Sequence, residues 1–289
     1  MAEHSHRFPI LKMSGVFGVS PSGYYRWLNR PPSKRSTENI RLRESIRLVW
    51  VLSRRIYGAP RIWQELLRRG WQVSRPRVAR LMKKMGIASQ LRKKWVRTTD
   101  SNHTYRVAAN RLARRFNPTK LNQVWVSDIT YLPSQQGWLY LTTVMDLADR
   151  QILGWSLSTS MSAEQTSIAS FKQAQSRRPA RKGMLFHSDR GSQYACGDFT
   201  KLLAKHRLTQ SMSRKANCWD NAPAESFFKT LKAELLSQVG AFRDYQHARA
   251  AIFQYIEVWY NRQRLHSSLG YKTPAQVEDE LKLKLEQAA

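Results

Sequence analysis

The sequence predicts a mixed α/β domain preceded by an all-helical front half. Apolar positions recur at helical spacing in residues 8–84, three strand-like runs follow one another between residues 122 and 158, and helices then alternate with strands. A chain of 289 residues with 42% hydrophobic content is long enough for two or three domains. We divide it into five segments: 1–33 and 34–90, each with a helix-turn-helix pattern, a basic linker at 91–117, an α/β core at 118–275 and a helical tail at 276–289.

The front half contains two helix-turn-helix patterns. In residues 8–28, Ser20 followed by Pro21 predicts the start of a second short helix, and the alternative is a helical pair without DNA contact. After a helix over 37–53 the pattern repeats, with Ser74 at the start of its later helix. That helix carries five cations: Arg75, Arg77, Arg80, Lys83 and Lys84. Their density suits a recognition helix in a DNA major groove, and the alternative is a basic face that only positions phosphates.

Positive charge is concentrated at the front of the chain. The net charge is +29. Residues 1–120 hold 28 Lys+Arg and 5 Asp+Glu (28 − 5 = +23), whereas residues 121–289 hold 21 and 15 (21 − 15 = +6). This asymmetry predicts a polyanionic partner, and because no segment approaches the ~20 apolar residues of a membrane span, a nucleic acid, DNA or RNA, is favoured over an anionic membrane. The linker at 91–117 either follows DNA or becomes ordered only on it.

The cysteine pattern and the N-terminus predict the compartment. Only Cys196 and Cys218 occur, without a C-x-x-C pair that could build a zinc site. The opening MAEHSHRFPI lacks the apolar core of a signal peptide. We therefore expect a cytoplasmic protein with reduced cysteines.

The core has a strand order that predicts its topology. Strands are expected at 122–132, 138–146 and 151–158, then a helix at 162–176, a strand at 184–188, a helix at 198–206 and a strand at 209–212. A three-stranded meander followed by alternating helices and strands is the ribonuclease-H-like order, a mixed five-stranded sheet with flanking helices. In that order the first and fourth strands lie side by side, which would bring Asp128 and Asp189 together. A last long helix is expected at 244–260.

Three acids are the candidate catalytic residues. Asp128 lies among apolar residues of a strand, where a carboxylate is costly unless it is paired or binds a metal. Asp189 follows the fourth strand, and Glu225 lies in a helix whose first turn contains Pro223 and whose cap is Asp220 or Asn221. Lys229 and Lys232 follow Glu225 at i+4 and i+7, on one helix face.

Three other acids near the candidate site are expected to have structural and not catalytic roles. Asp146 and Asp149 are expected in a turn or on the surface, and Asp220 is the expected helix cap. The alternative for the three candidate acids is a purely structural role. Asp128 would then be an edge residue, Asp189 a turn residue, and Glu225 a helix residue paired with Lys229.

The motifs WVSDITYL, HSDRGSQY and NCWDNAPAESFFKTLK, with 35 residues between Asp189 and Glu225, resemble the integrase core of bacterial insertion-sequence transposases. The match is closest to the second-frame product of the IS-three family, relatives of retroviral integrases, and HSSLGYKTPAQ resembles the ending of that family. Ala216 departs from the commonest form, in which glycine precedes the Asn-Cys pair, and this concerns loop geometry only.

The resemblance implies an Mg²⁺-dependent enzyme of the retroviral-integrase-like acid-triad superfamily. Asp128 would bridge two Mg²⁺ ions, for which Mn²⁺ can substitute, and Asp189 and Glu225 would each complete one. The enzyme would cut at terminal inverted repeats and join the freed 3′-hydroxyl to target DNA. Lys229 and Lys232 match two DNA-contacting lysines of retroviral integrases.

The resemblance also implies partners. We expect a homodimer or higher oligomer on double-stranded DNA, in the bacterial nucleoid. We also expect the protein encoded by an upstream reading frame as a separate partner or as a fusion with this chain. The alternative function is a DNA-binding regulator of the element with a catalytically silent core.

Overall fold

The computed structural model describes residues 1–89, 105–215, 217–236 and 239–287. The front of the chain consists of five helices: α1 (Ile10–Phe17), α2 (Pro21–Leu28), α3 (Lys34–Leu52), α4 (Ala59–Arg68) and α5 (Arg75–Lys84). Ser20 begins α2 as predicted, because its hydroxyl accepts a hydrogen bond from the Gly23 amide at 3.0 Å. Ser74 precedes α5 but its side chain accepts no capping bond. About half of the predicted linker, residues 91–104, lies outside the described residues.

A five-stranded sheet forms the centre of the core. Its strands are β1 (Val124–Ser134), β2 (Gly137–Asp146), β3 (Ile152–Ser158), β4 (Leu185–Ser188) and β5 (Thr209–Met212). They lie in the order β3-β2-β1-β4-β5. The first three pair antiparallel, and β4 pairs parallel with both β1 and β5. The predicted ribonuclease-H-like architecture and the adjacency of the first and fourth strands are confirmed.

Six helices complete the described part of the core. They are α6 (Ala169–Arg177), α7 (Ser192–Ala195), α8 (Gly197–Lys205), α9 (Ala222–Leu231), α10 (Tyr245–Phe253) and α11 (Pro274–Gln287). A π-helical turn, Lys232–Leu236, extends α9, and another, Gln254–Tyr260, extends α10. In the described residues no helix is both long and apolar enough to cross a membrane.

Helix α6 packs unusually close to the sheet. A β-carbon on Gly154 in β3 would collide with the Ser170 carbonyl oxygen and the Ala174 amide nitrogen. Glycine therefore lets the helix backbone approach the strand backbone directly. This contact covers one face of the sheet, while α9 packs beside β1.

The front helices pack against the end of the core. One hydrophobic cluster runs from Leu42 and Ile62 of the front helices to Trp259 and Leu265. Polar contacts fix the same interface, because the Leu265 amide donates to the Tyr57 hydroxyl at 2.7 Å. Arg61 Nε donates to the Leu265 carbonyl at 3.0 Å. The orientation of α4 therefore depends on residues about 200 positions later in the chain.

The prediction that Asp149 lies in a turn is confirmed, but the surface alternative is wrong for both Asp149 and Asp146, the last residue of β2. Both side chains are fully buried and bind the guanidinium of Arg178, at 2.8 and 2.7 Å. Burial, and then the charge of Asp146, raises the pKa of Asp149 to about 7, and Arg178 opposes this shift. The turn between β2 and β3 is thus the site of a buried ion cluster.

The capping prediction for Asp220 was also wrong. The N-cap of α9 is Asn221, and its side chain accepts no bond from the helix. The buried Asp220 carboxylate instead accepts hydrogen bonds from Arg214 and Arg114 at 2.9 Å, and from Asn110 at 2.8 Å. Asp220 therefore ties the segment before the sheet to the loop before α9.

Candidate active site

Asp128 lies in the middle of β1, opposite Thr143 of β2. Its Oδ1 accepts a hydrogen bond from the Ile129 amide at 2.9 Å. Burial raises the pKa of the Asp128 carboxyl well above its ordinary value. The nearby charge of Asp189, and more weakly that of Glu225, raises this pKa further. The Asp128 carboxyl therefore lies within the electrostatic fields of the two other predicted acids.

Asp189 follows the last residue of β4, in the turn that leads to α7. Its Oδ1 accepts a hydrogen bond from the Gly191 amide at 2.9 Å. A β-carbon on Gly191 would come within 3.1 Å of the same oxygen. Glycine at this position keeps the space around the carboxylate open.

Glu225 lies in the first turn of α9, and 31% of its side chain is exposed. The start of the helix is fixed to the sheet, because Asn221 Nδ2 donates to the Ser127 carbonyl at 3.0 Å. Ser127 directly precedes Asp128. This bond ties the start of the helix that carries Glu225 to the strand that carries Asp128.

The two lysines that follow Glu225 have different surroundings. Lys229 is 79% exposed, and its Nζ lies 3.7 Å from Glu225 Oε2. Lys232 is half-buried at the start of the π-helical turn, where burial lowers its pKa and the charge of Asp128 opposes that shift. Lys229 therefore faces solvent, while Lys232 lies within the field of the acids.

Tyr194 is a site residue that the sequence prediction missed. Its buried hydroxyl lies 2.7 Å from Ser127 Oγ. Burial raises its pKa well above the ordinary value, and the charges of Asp189 and Asp128 add to the shift. Its position five residues after Asp189, on the short helix α7, was the available signal.

His187 lies in β4, two residues before Asp189, and contacts the β5 segment. Its Nδ1 lies 2.9 Å from Ser211 Oγ and its Nε2 lies 3.3 Å from Ser213 Oγ, so both ring nitrogens contact hydroxyl groups of the β5 segment. Burial lowers the pKa of His187 to about 4. The His187 ring is therefore neutral, and it joins β4 to the β5 segment just before the chain reaches Asp189.

The donor set fits a hard divalent cation. Three carboxylates on a strand, a turn and a helix supply the oxygen ligands that Mg²⁺ prefers. The raised pKa of Asp128 is the response of a buried carboxyl that lacks sufficient positive charge. In the described parts of the chain, however, no group of three His, Cys, Asp or Glu side chains is arranged so that it could hold a metal ion as it stands.

The predicted DNA-binding cations of α5 fall into two groups. Arg75, Arg80, Lys83 and Lys84 are exposed. Arg77 instead turns toward α3, where Nη2 donates to Glu38 Oε2 at 2.9 Å and to Asn39 Oδ1 at 2.8 Å. Only 15% of the Arg77 side chain is exposed. DNA contact by these residues stays a prediction, and Arg77 is the one with protein partners.

Comparison with known families assigns both halves of the chain. The model of an integrase core domain matches residues 118–218, and a second integrase core model matches residues 206–274. The model of an HTH-like domain matches residues 38–95. Together these matches include the three acids and the helices α3 to α5.

Two curated proteins are similar over nearly the whole chain. The insertion element IS600 uncharacterized 31 kDa protein of Shigella sonnei is 44% identical, over 91% of this chain and 96% of that protein. Transposase InsF for insertion sequence IS3A of Escherichia coli (strain K12) is 36% identical, over 96% of both proteins.

Solved structures are similar at lower identity. The catalytic core domain of HTLV-2 integrase in complex with magnesium is 16% identical with a TM-score of 0.42, and the match covers 55% of this chain and 97% of that one. A chain of the simian T-cell lymphotropic virus intasome in complex with a PP2A regulatory subunit is 13% identical with a TM-score of 0.47, and covers 76% of this chain and 70% of that one.

Proposed function

Since this chain belongs to the IS3 (IS-three) family of insertion-sequence transposases, we propose that it cuts DNA at terminal inverted repeats and joins the freed 3′-hydroxyl to target DNA. It is a DNA transposase with an integrase core, and its HTH-like domain binds DNA. The cleavage and joining steps, the residues that perform them and their metal requirement are the parts that we propose.

The surroundings of Asp128 are the observation that carries the proposal. Burial and the charges of Asp189 and Glu225 all disfavour its carboxylate form. A divalent cation shared by these groups would stabilise all three charges at once. We therefore propose Asp128, Asp189 and Glu225 as the residues that would hold the catalytic metal ions.

Two Mg²⁺ ions at this site would neutralise charge on the reacting phosphate and lower the pKa of the attacking hydroxyl group, and Mn²⁺ can substitute. The chain itself supplies position. Asn221 holds the helix of Glu225 against β1, and Tyr194 holds the segment after Asp189 against Ser127. Each carboxylate that binds an ion must be deprotonated, so a bound cation would oppose the raised pKa of Asp128.

Lys229 and Lys232 are proposed contacts of the reacting DNA end. A phosphate bound beside Glu225 lies on the helix face from which Lys229 extends into solvent. Lys232 adds a half-buried positive charge close to Asp128. These ammonium groups would attract the phosphate backbone without reading its sequence.

Glu225→Gln tests the assignment of the acids. The substitution keeps the size of the side chain and removes its charge, so we expect unchanged DNA affinity together with loss of nicking and strand transfer. Gel-based assays with duplexes that carry the element's ends and Mg²⁺ measure both. Glu257→Gln, in an ion pair with Arg177, is the matched control in the same core.

Near wild-type cleavage by the Glu225→Gln variant would contradict the proposed ligands. Absence of cleavage by the unmodified protein, with DNA binding intact, would favour the silent DNA-binding regulator instead.

We also propose that end recognition resides in the front helices and that the active form is a homodimer or higher oligomer on DNA in the cytoplasm. The product of an upstream frame is a candidate partner. Mass photometry of the protein with paired element ends measures the number of subunits, and a monomer on each DNA end that still completes strand transfer would contradict the oligomer.

A further inference from the structure

A cavity with an almost entirely cationic lining lies between α3 and α5. Its volume is 370 Å³, and its lining residues are Arg35, Asn39, Arg77, Arg80, Leu81 and Lys84. Four of these six residues carry a positive charge, and none carries a negative one. Like charges lining one concavity repel each other, so an anion is the ligand that this lining favours.

The guanidinium of Arg77 is already fixed in the wall of the cavity. Asn39 Oδ1 accepts hydrogen bonds from Arg77 Nε and Nη2 at 3.1 and 2.8 Å, and Glu38 Oε2 accepts one from Nη2 at 2.9 Å. Because Arg77 is held in place before a ligand arrives, little side-chain entropy remains to be lost on binding.

The charges around the cavity do not balance. Glu38 pairs with Arg77 and offsets one of the four cations. The other three cations are exposed and come from two different helices. They are Arg35 of α3 and Arg80 and Lys84 of α5. Buried Leu81 gives the cavity an apolar wall, which strengthens attraction between the cations and a bound anion.

We propose that this cavity binds one backbone phosphate of the DNA that the front helices recognise. The proposal rests on the proposed role of these helices in end recognition. A phosphodiester shares one negative charge between two non-bridging oxygens, in the geometry that an arginine fork such as that of Arg35 or Arg80 matches. A phosphate held jointly by α3 and α5 would fix the register of α5 on the DNA, as backbone contacts generally do.

The cavity separates the cations of α5 by role. Arg77, Arg80 and Lys84 line it, whereas Arg75 and Lys83 lie on the same helix outside it. It also adds Arg35, a residue of α3 that is not among the predicted DNA-binding cations and lies before residues 38–95, which the HTH-like model matches. The expected contact set is therefore a cluster across two helices and not the whole basic face of α5.

The test is a coupling measurement with the full-length chain, without divalent metal. Duplexes ending in the terminal inverted repeat carry one neutral methylphosphonate linkage at successive positions. Wild-type affinity should fall about tenfold at one linkage, since a charge-assisted hydrogen bond is lost there. Arg80→Ala should bind unmodified DNA about tenfold more weakly and show no further loss at that linkage. Lys84→Ala should behave in the same way.

Lys83→Ala is the matched control, because it removes one charge from the same helix outside the cavity. It should keep the full loss at that linkage. If Arg80→Ala and Lys84→Ala also keep that loss, or if no linkage is special for the wild type, the cavity is not a phosphate site for DNA.

Glu38→Gln gives a second test that does not depend on weakened binding. It removes the negative charge beside the cavity and keeps all four cations, so DNA affinity should rise several-fold, while unchanged or weaker binding would contradict the proposal. Inorganic phosphate, added at constant ionic strength, distinguishes a free anion. If it raises the Tm of the wild type but not of Arg80→Ala while no linkage is special, the DNA assignment is overturned.

These measurements omit metal and chemistry. Failure of the cavity proposal would leave the metal-dependent function untouched, and loss of strand transfer in Glu225→Gln would leave the cavity result untouched.

Discussion

Tyr194 shows how one buried hydroxyl can join the two segments that carry Asp128 and Asp189. Its ring packs edge-on against Phe199, with centroids 5.5 Å apart, and its hydroxyl contacts Ser127. The phenol thus bridges the turn after Asp189 and the strand of Asp128. Because a buried phenol with raised pKa stays protonated, it adds no further negative charge to a site that already holds three acids.

Lys229 and Lys232 give a prediction that separates DNA contact from helix stabilisation. As phosphate contacts, Lys229→Ala and Lys232→Ala should each flatten the plot of log affinity against log salt by about one unit, nearly independent of DNA sequence. Fluorescence anisotropy over a salt series measures this slope.

The competing account is an exposed ion pair with Glu225 worth ~0.3 to 0.5 kcal/mol of helix stability. On that account the double variant would lose slight thermal stability, keep the wild-type salt slope and retain strand transfer. That combination would exclude the phosphate role.

At the scale of the element, the helix of Glu225 is anchored by a buried ion pair at its far end. Glu234, in the π-helical turn that extends α9, accepts hydrogen bonds from Arg264 at 2.7 and 2.9 Å. The Tyr255 hydroxyl and the Trp259 indole also donate to this carboxylate, at 2.8 and 3.2 Å. All these groups are buried, so the carboxylate has exchanged water for four protein donors.

We predict that Arg264→Met lowers the free energy of unfolding by about 3 to 5 kcal/mol, because it leaves the Glu234 charge buried without its cation. Chemical denaturation measures the loss. Arg69→Met removes the cation of the more exposed Glu65 pair and should change stability by ~0.5 kcal/mol or less. Equal effects of the two substitutions would show that the buried pair has no special weight.

The elements themselves followed from local patterns, but their long-range partners did not. The strand at 209–212 was predicted with its observed bounds, and β2 within one residue, since alternation and turn residues act locally. The sequence predicts a turn or surface position for Asp149, which lies in the turn but is buried. Its partner Arg178 lies 29 positions away, and no local pattern indicates that contact. The predicted single helix at 244–260 likewise ends in a π-helical turn.

The site shows the same division. Motif context indicated Asp128, Asp189 and Glu225, and the structure brings their charges together, while their catalytic role stays a prediction. Arg35 was not selected because a single cation in a helix carries no signal without knowledge of α5 beside it.

At the scale of the whole molecule, the ion cluster around Arg178 predicts a pH dependence of stability. The native pKa of Asp149 is raised to about 7, above the unfolded value near 3.8, so the native state binds the additional proton. This contribution is fully present below the unfolded pKa and is lost as pH rises through about 7. We therefore expect Asp149 to contribute a decline in Tm between about pH 4 and about pH 7, whereas His187, whose pKa is lowered to about 4, contributes a rise over most of the same range.

Asp149→Asn should flatten that decline, because the amide does not titrate, whereas Asp198→Asn on exposed α8 should leave it unchanged. Calorimetry over the pH range measures both. A decline of the same steepness in the Asp149→Asn variant would assign the effect to other groups.

The contact between α4 and Leu265 also has a consequence for the newly made chain. Arg61 binds a residue 204 positions later, and the Arg68 guanidinium donates to the Tyr271 carbonyl, 203 positions later. At a synthesis rate of ~5 to 20 residues per second, the front helices are made roughly 10 to 40 s before the residues of the core that bind them. A polypeptide interrupted before this point would carry both the basic helices and the three acids without the interface that joins them. A translation product must therefore extend past Tyr271 before it can hold its front helices in this relation to its acids.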